Sequence, residues 1–420
     1  MLDIKFIRDN KEVIKEGAKK KHIEVDVDSL VSIDDKRLSL LSVVEGLRGE
    51  QNKMNSSIAI EKDVNIRSQM INEMKLVKED LVAKEEELKS VMKEWQLLML
   101  TIPNIPDISV PEGDNDEDNQ EIKIWGEKPS FNFEPKDHLD LMTNLKMADF
   151  ERGTKVHGFR GYFLTGDGVR LSMAIWNYAL DFFSGKGFIP VLPPAIIRRE
   201  TFMGTGYLPQ GEDDLYKTQD GDFLAGTAEV PIMGFHSDEI LDIKDFPIKY
   251  LGFSPCYRRE AGSHSKDVKG LIRVHEFYKF EQVVLCEASH QTSANLHEEI
   301  NRNTEEFIES LNIPYHTVVN CGGDLGMGQV KKYDIELWVP KENKYREISS
   351  ASYFHDFQTR RLNIRYRDSE GKMRYAHSLN CTAIPTPRIL VSMIENFQQA
   401  DGTIKIPNVL QKYFGKDVIS

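Results

Sequence analysis

The chain has 420 residues, of which 40% are apolar and 29% charged, with a formal net charge of −13. That apolar content excludes a disordered chain, and the charge, with no run of about 18 apolar residues, excludes a membrane-embedded helical protein and predicts no membrane partner. The length accommodates a catalytic core of about 300 residues and one smaller domain. The start, MLDIKFIRDN, carries Asp3 and Asp9 and no long apolar run, which argues against a secretory or organelle-targeting leader. Cys256, Cys286, Cys321 and Cys381 lie at least 30 residues apart, so neither a disulfide framework nor a CxxC zinc knuckle is expected. Four reduced thiols in a cytoplasmic protein fit this spacing, with Cys381 a small buried residue.

Residues 1–100 hold 18 Lys and Arg against 20 Asp and Glu, residues 101–140 hold 3 against 11, and residues 141–420 hold 33 against 36. The acidity is concentrated in one short segment. Basic faces elsewhere, and with them a nucleic-acid partner, remain compatible with the bulk charge.

In chain order, the first feature is a seam at a mean period of 3.5. It reads Leu30, Ile33, Arg37, Leu40, Val44, Leu47, Gln51, Met54, Ile58. The segment 59–69 (AIEKDVNIRSQ) interrupts it. The spacing resumes as Met70, Met74, Val77, Leu81, Lys84, Leu88, Val91, Trp95, Leu98. Neither stretch contains Pro. Two helices joined by about 11 residues should fold back as an antiparallel hairpin. Each seam spans 29 residues, or about 43 Å at about 1.5 Å per residue. Periodicity alone leaves open whether such an arm binds a ligand, pairs two copies of the chain or serves as scaffold.

The helical region is read as residues 1–105 and is followed by a linker, 106–120. TIPNIPDISVPEG brings three prolines into this junction, and DNDEDNQE adds an acidic run. From Glu121 to Ser420 short strands, helices and Gly/Pro turns mix, which reads as an α+β domain. The sequence contains no GxxxxGK[ST], no strand-linked GxGxxG, no HExxH and no GxSxG. A nucleotide, if bound, therefore sits on a scaffold other than a P-loop or a Rossmann unit.

Residues 251–285, LGFSPCYRREAGSHSKDVKGLIRVHEFYKFEQVVL, read as two strands around a polar loop. Alternation in the second run places His275, Phe277, Lys279 and Glu281 on one face. Arg, an aromatic ring and Glu together suit a flat heterocycle, phosphates and an amine; a solvated hairpin face is the plainer alternative. Residues 333–350, YDIELWVPKENKYREISS, read as a second hairpin, and residues 374–400 as a strand running into a helix. Arg388 follows Pro387 at that helix start. The helix dipole disfavours a cation there, so the arginine is a candidate for facing an anion.

These blocks resemble the seryl-tRNA synthetase family of class II aminoacyl-tRNA synthetases over essentially the whole chain. The resemblance is carried by MLDIKFIRDN, the helical arm, LLMLTIPNIP, GTAEVPI, CYRREAGSHSKDVKGLIRVHEF, DIELWVPKENKYREISSASYFHDFQTRR and ENFQQADGTIKIPNVLQKYFG. It implies an antiparallel sheet of six or seven strands flanked by helices, with an N-terminal coiled-coil arm that binds tRNA. GFIPVLPPAII, with Pro194, resembles the family's motif 1 and implies a homodimer.

By the same resemblance ATP would meet Arg258, Arg259, Glu260, Val274, Phe277, Glu347, Ile348, Ser349, Ser350 and Arg388. Arg258 would lie on the α-phosphate, Phe277 on the adenine ring and Arg388 on the γ-phosphate. Thr227, Ala228, Glu229, Arg258, Glu281 and Thr382 would hold serine. Glu347 and Ser350 would ligate Mg²⁺, a hard ion suited to oxygen ligands, with no zinc expected. Contacts to tRNA(Ser) would come from solvent-facing basic residues of the arm, for example Arg48, Lys53, Lys62, Lys75 and Lys78, and a selenocysteine tRNA is a further candidate acceptor. Motif 3 departs from the family: LNCTAIPTPR carries Pro385 and Pro387 beside the arginine, which puts the local geometry in question. A silent paralogue and an enzyme charging a carrier protein are alternatives. The intact Arg258, Glu260, Glu281 and Arg388 weigh against the first, and the arm against the second.

Overall fold

The computed structural model describes residues 1–261, Asp267 and residues 269–420. The rest of the loop in the 251–285 block lies outside the described residues. The chain forms two compact units, one of residues 1–19 and 23–105 and one of residues 20–22 and 106–420.

The first unit is dominated by α1 (Val27–Ile60) and α2 (Val64–Thr101). Asp26 caps α1 by accepting from the Ser29 N–H, and Asp63 caps α2 by accepting from the Asn65 and Ile66 N–H groups. Every seam position from Leu30 to Ile58 and from Met70 to Leu98 is buried or half-buried. The polar seam position Arg37 is satisfied locally. Its guanidinium donates twice to buried Asp34 and lies 5.0 Å from the Trp95 ring centroid. The turn between the helices is Glu61–Asp63, three residues and not about 11. The helices continue past the seam to 34 and 38 residues, about 51 and 57 Å at about 1.5 Å per residue. Ile60 and Val64 are both exposed at the tip, so nothing in their packing advertises helix.

The second unit is built on an eight-stranded sheet. In chain order the strands are β1 (Gln120–Trp125), β2 (Ile189–Val191), β3 (Ile248–Tyr257), β4 (Glu276–Cys286), β5 (Tyr315–Val319), β6 (Lys331–Val339), β7 (Lys344–His355) and β8 (His377–Thr386). Their spatial order is β1-β5-β6-β7-β8-β4-β3-β2. Seven strands pair antiparallel, and β2 joins β3 parallel as an eighth, edge strand beyond the expected six or seven. Helices α3 (Asp167–Gly185), α4 (Glu229–Phe235), α5 (His290–Ser310) and α6 (Arg388–Asn396) pack around it.

The two faces of the sheet differ. Gln282 donates to the Ile300 carbonyl and Thr304 hydroxyl of α5, and Val284, Leu379 and Ala351 join the apolar core there. By alternation, Phe277, Lys279 and Glu281 of β4 face the other way. No helix among the described residues is long and apolar enough to cross a membrane.

Candidate active site

The site begins at the β3–β4 pairing. Glu281 lies opposite Gly252, and Phe277 opposite Cys256. A Cβ on Gly252 would fall 2.4 Å from Ile232 and 2.7 Å from Ala228, so only glycine lets α4 approach the sheet this closely. That approach delivers Thr227, just before α4, to the buried end of Glu281. Thr227 Oγ1 donates to Glu281 Oε2 at 3.1 Å and accepts from Lys279 Nζ at 3.0 Å. Lys279 also pairs directly with Glu281 and reaches Thr382 Oγ1 at 3.4 Å. Lys279 and Glu281 are only 5% and 2% exposed, so each charge depends on its partner. Thr227, Lys279, Glu281 and Thr382 thus form a buried, hydrogen-bonded polar cluster.

Glu229 lies behind this cluster. It accepts from Gln358 Nε2 at 2.6 Å and from the Tyr207 hydroxyl at 3.0 Å. Burial, reinforced by the charge of Glu281, pushes its carboxyl up to about 7. Ala228 is buried against the sheet and supplies backbone only.

Two members of the cluster, Lys279 and Thr382, also line a cleft. Arg258, Glu260, Val274, Phe277, Glu347, Ile348 and Arg388 line it beside Lys279 and Thr382. Reciprocal bonds fix the end of the hairpin: the Arg258 N–H donates to the His275 carbonyl, and His275 Nδ1 donates to the Arg258 carbonyl, each at 2.9 Å. Arg258 Nε donates to the Gly226 carbonyl, and its guanidinium stands 5.3 Å from the Phe277 ring centroid. Glu260, at positive φ, is ion-paired to Arg273. Arg388 Nε donates to the Ile272 carbonyl at 3.0 Å and Nη1 to the Glu347 carbonyl at 2.8 Å. These backbone contacts use one edge of each guanidinium and hold it in place. Pro385 pairs with Lys279 near the end of β8, past the last residue that pairs with β7, and Pro387 caps α6. Both prolines line the cleft and leave Arg388 as the first helical residue.

Glu347 and Ser350 are three residues apart, which in a regular strand puts them on opposite faces. A bulge at Ile348 changes this. Glu347 pairs with Glu336 and Ser350 with Asp334, two residues apart on β6, so both face the cleft side. Ser349 is turned to the core, donating to the Thr382 carbonyl. Asp334 is buried; burial raises its carboxyl to about 6, with Lys332 opposing and Glu347 reinforcing the rise. Among the described residues, no group of three or more His, Cys, Asp or Glu could hold a metal ion.

Three ATP-site expectations fall outside the cleft lining. Arg259 is exposed, anchored by its N–H to the Asp214 carbonyl, Ser349 lies behind the sheet, and Ser350 is half-buried opposite Asp334. Lys279 was read from the sequence only as part of a face; its burial beside Glu281 makes it a member of the polar cluster. On the first unit, Lys53, Lys62, Lys75 and Lys78 are exposed, and Arg48 is paired to Glu85 while 60% exposed. All four described cysteines are buried and free.

Comparison with known proteins places these features in one family. Residues 1–106 match the seryl-tRNA synthetase N-terminal domain, and residues 216–397 the tRNA synthetase class II core domain (G, H, P, S and T). A serine–tRNA ligase of Deinococcus radiodurans is 44% identical over 416 residues, covering 99% of this chain and 98% of the relative. The crystal structure of seryl-tRNA synthetase from Pyrococcus horikoshii complexed with ATP matches with a TM-score of 0.90 at 39% identity, covering 100% of this chain and 99% of that one. That of the cytoplasmic serine–tRNA ligase from Naegleria fowleri in complex with AMP matches at 0.87 and 31% identity, with the same coverage. With relatives this similar along its full length and a class II sheet carrying the cleft, the chain belongs to the seryl-tRNA synthetase family of aminoacyl-tRNA ligases.

Proposed function

We propose that this serine–tRNA ligase activates serine with ATP in the cleft between Phe277 and Arg388 and transfers it to a tRNA gripped by the helical arm. The observation that carries this reading is a shared lining: two fixed guanidiniums, Arg258 and Arg388, face one cleft with Lys279 and Thr382 of the polar cluster. Relatives that hold ATP or AMP support a nucleotide there.

In the first step the serine carboxylate attacks the α-phosphorus, and pyrophosphate leaves. Both reactants are anionic, so positioning and charge neutralisation dominate the barrier. Arg258 is placed for the α-phosphate and Arg388 for the γ-phosphate. Phe277 offers a ring face for adenine. Glu281 and Thr382 form the polar end that meets the serine hydroxyl, with Thr227 beside them. The nucleophile is already ionised, so no general base is required. In the second step the terminal tRNA hydroxyl attacks the activated carbonyl and releases AMP.

The oxygen pair Glu347 and Ser350, brought to one face by the bulge, fits a hard divalent cation. Mg²⁺ bound there would supply positive charge to the phosphate oxygens. A homodimer is supported by the exposed apolar edge around motif 1, where Ile189, Leu192 and Ile196 are 56%, 78% and 61% exposed. The arm, residues 1–105, would use exposed Lys53, Lys62, Lys75 and Lys78 against RNA phosphates, with action in the cytoplasm.

Serine-dependent ATP–pyrophosphate exchange, measured with and without tRNA, tests the assignment. Exchange with serine and charging of tRNA(Ser) are expected. Absence of exchange would indicate a silent paralogue, and exchange without tRNA charging a carrier-directed enzyme.

A further inference from the structure

Behind the cation pair lies a carboxylate that the reaction just described does not use. Asp334 is the cross-strand partner of Ser350 on β6 and is 6% exposed. Directly paired residues on one face bring their Cβ atoms to about 4.5–5.5 Å. One oxygen of Asp334 is fully occupied: Oδ2 accepts from Asn320 Nδ2 at 2.6 Å and lies 3.5 Å from Lys332 Nζ. Asn320 is itself fully buried, gives the same Nδ2 to Asp324, and is held by its N–H to the Lys332 carbonyl. The other oxygen, Oδ1, is buried and makes no hydrogen bond of ordinary geometry, while the Ser350 side chain acts on the carboxyl as a nearby donor. A buried carboxylate oxygen without a well-formed hydrogen bond is costly and calls for an explanation.

The side chain across the strand pair supplies one. A serine hydroxyl has one proton and two lone pairs. To ligate a cation it must turn the proton away and the lone pairs toward the metal. An acceptor behind the hydroxyl fixes that orientation, as outer partners do for other metal ligands.

We propose that Asp334 is a positioning residue of the cation site, its Oδ1 accepting the Ser350 hydroxyl proton so that the Ser350 lone pairs face the cleft beside Glu347. Asn320 and Lys332 serve this role by holding Oδ2, which leaves Oδ1 as the oxygen on offer. The inference rests on the reading of Glu347 and Ser350 as cation ligands.

Asp334→Asn is the informative substitution. Asn320 and Lys332 are both donors, so the new amide must give them its oxygen and present its NH₂ to Ser350. The hydroxyl is then forced to point its proton at the cleft. Binding of Mn²⁺ to the full-length enzyme is read by electron paramagnetic resonance, with a non-hydrolysable ATP analogue present. Ser350→Ala and Asp334→Asn should each weaken Mn²⁺ about 10–100-fold. The double variant should be no weaker than Ser350→Ala alone, because Asp334 acts through that hydroxyl. Unchanged Mn²⁺ affinity in Asp334→Asn, or losses that simply add in the double variant, would overturn the inference. If Ser350→Ala leaves Mn²⁺ binding intact, the cation-site reading itself falls. Should Asp334→Asn fail to fold, Asn320→Ala replaces it: it frees Oδ2, and a Mn²⁺ loss confined to proteins that retain Ser350 supports the role, whereas no loss overturns it.

Discussion

The helical arm and the catalytic sheet both present cations, but they hold them in opposite ways. On the arm, Lys53, Lys62, Lys75 and Lys78 stand in solvent, and Arg48 is 60% exposed beside Glu85. On the sheet, Arg258 and Arg388 are tied to carbonyls of Gly226, Ile272 and Glu347, and Lys279 is buried against Glu281. Exposed cations can follow a phosphate backbone, and salt screens them. Fixed cations need no reorganisation when charge develops in a transition state. The difference teaches where a single substitution matters: one side chain should be decisive in the cleft and nearly dispensable on the arm.

The largest effect expected from that contrast is in amino-acid choice. A pocket built to hydrogen-bond a substrate hydroxyl rejects the analogue lacking it by roughly 10⁴–10⁵. Pyrophosphate exchange with alanine should therefore be that much poorer than with serine. Glu281→Ala should lose serine activation without gaining alanine, since Lys279 and Thr227 are left unpaired. Equal use of the two amino acids by the native enzyme would break the assignment.

Next come the arginines. Arg258→Ala and Arg388→Ala should each reduce exchange by roughly 10²–10³. Near-native exchange in either variant would show that the guanidinium faces no phosphate. Replacing residues 30–98 by a short linker tests the other side of the comparison. Serine activation should persist while tRNA charging and tRNA affinity collapse, and unimpaired charging would reduce the arm to scaffold.

A smaller effect concerns pH. Glu229 has its carboxyl raised to about 7 by burial, so the folded chain binds a proton that the unfolded chain releases above about pH 4.5. The associated stability is complete below about pH 4.5 and is lost as pH rises through about 7. Glu229→Gln should flatten that decline, and thermal midpoints measured at about pH 5 and about pH 8 should move closer together. The smallest effect is expected for Lys75→Ala, which should lower the salt dependence of tRNA binding by at most about one counterion in the log–log slope. A loss as large as that of a cleft arginine would erase the contrast.

The arm was largely legible because seam burial is periodic, and Leu30 through Leu98 kept their phase. Its tip was not. Ile60 and Val64 belong to helices yet pack on nothing, so hydrophobic spacing could not reveal them; Asp63, an N-cap residue type, was the available signal. In the sheet, alternation correctly grouped Phe277, Lys279 and Glu281, but Lys279 looks the same in sequence whether solvated or buried. The bulges at Ile348 and near Ala383 leave no mark in residue type, and the parallel pairing of β2 is a non-local event of only three residues. The cleft's membership came from resemblance, whereas the hydrogen bonds that aim each side chain are tertiary.

The bulge at Ile348 also makes the site depend on chain length as well as on composition. Glu347 and Ser350 share a face because one residue is supernumerary between them. Removing that residue would leave Glu347 and Ser350 both present and the hairpin able to pair. It would also rotate one of the two out of the cleft, as any single-residue slip does in a strand. The spacing is therefore a kind of phase information: in this hairpin a deletion of one apolar residue should do the damage of replacing Glu347 or Ser350, and an insertion on the wrong side of it should not be repaired by restoring the chemistry.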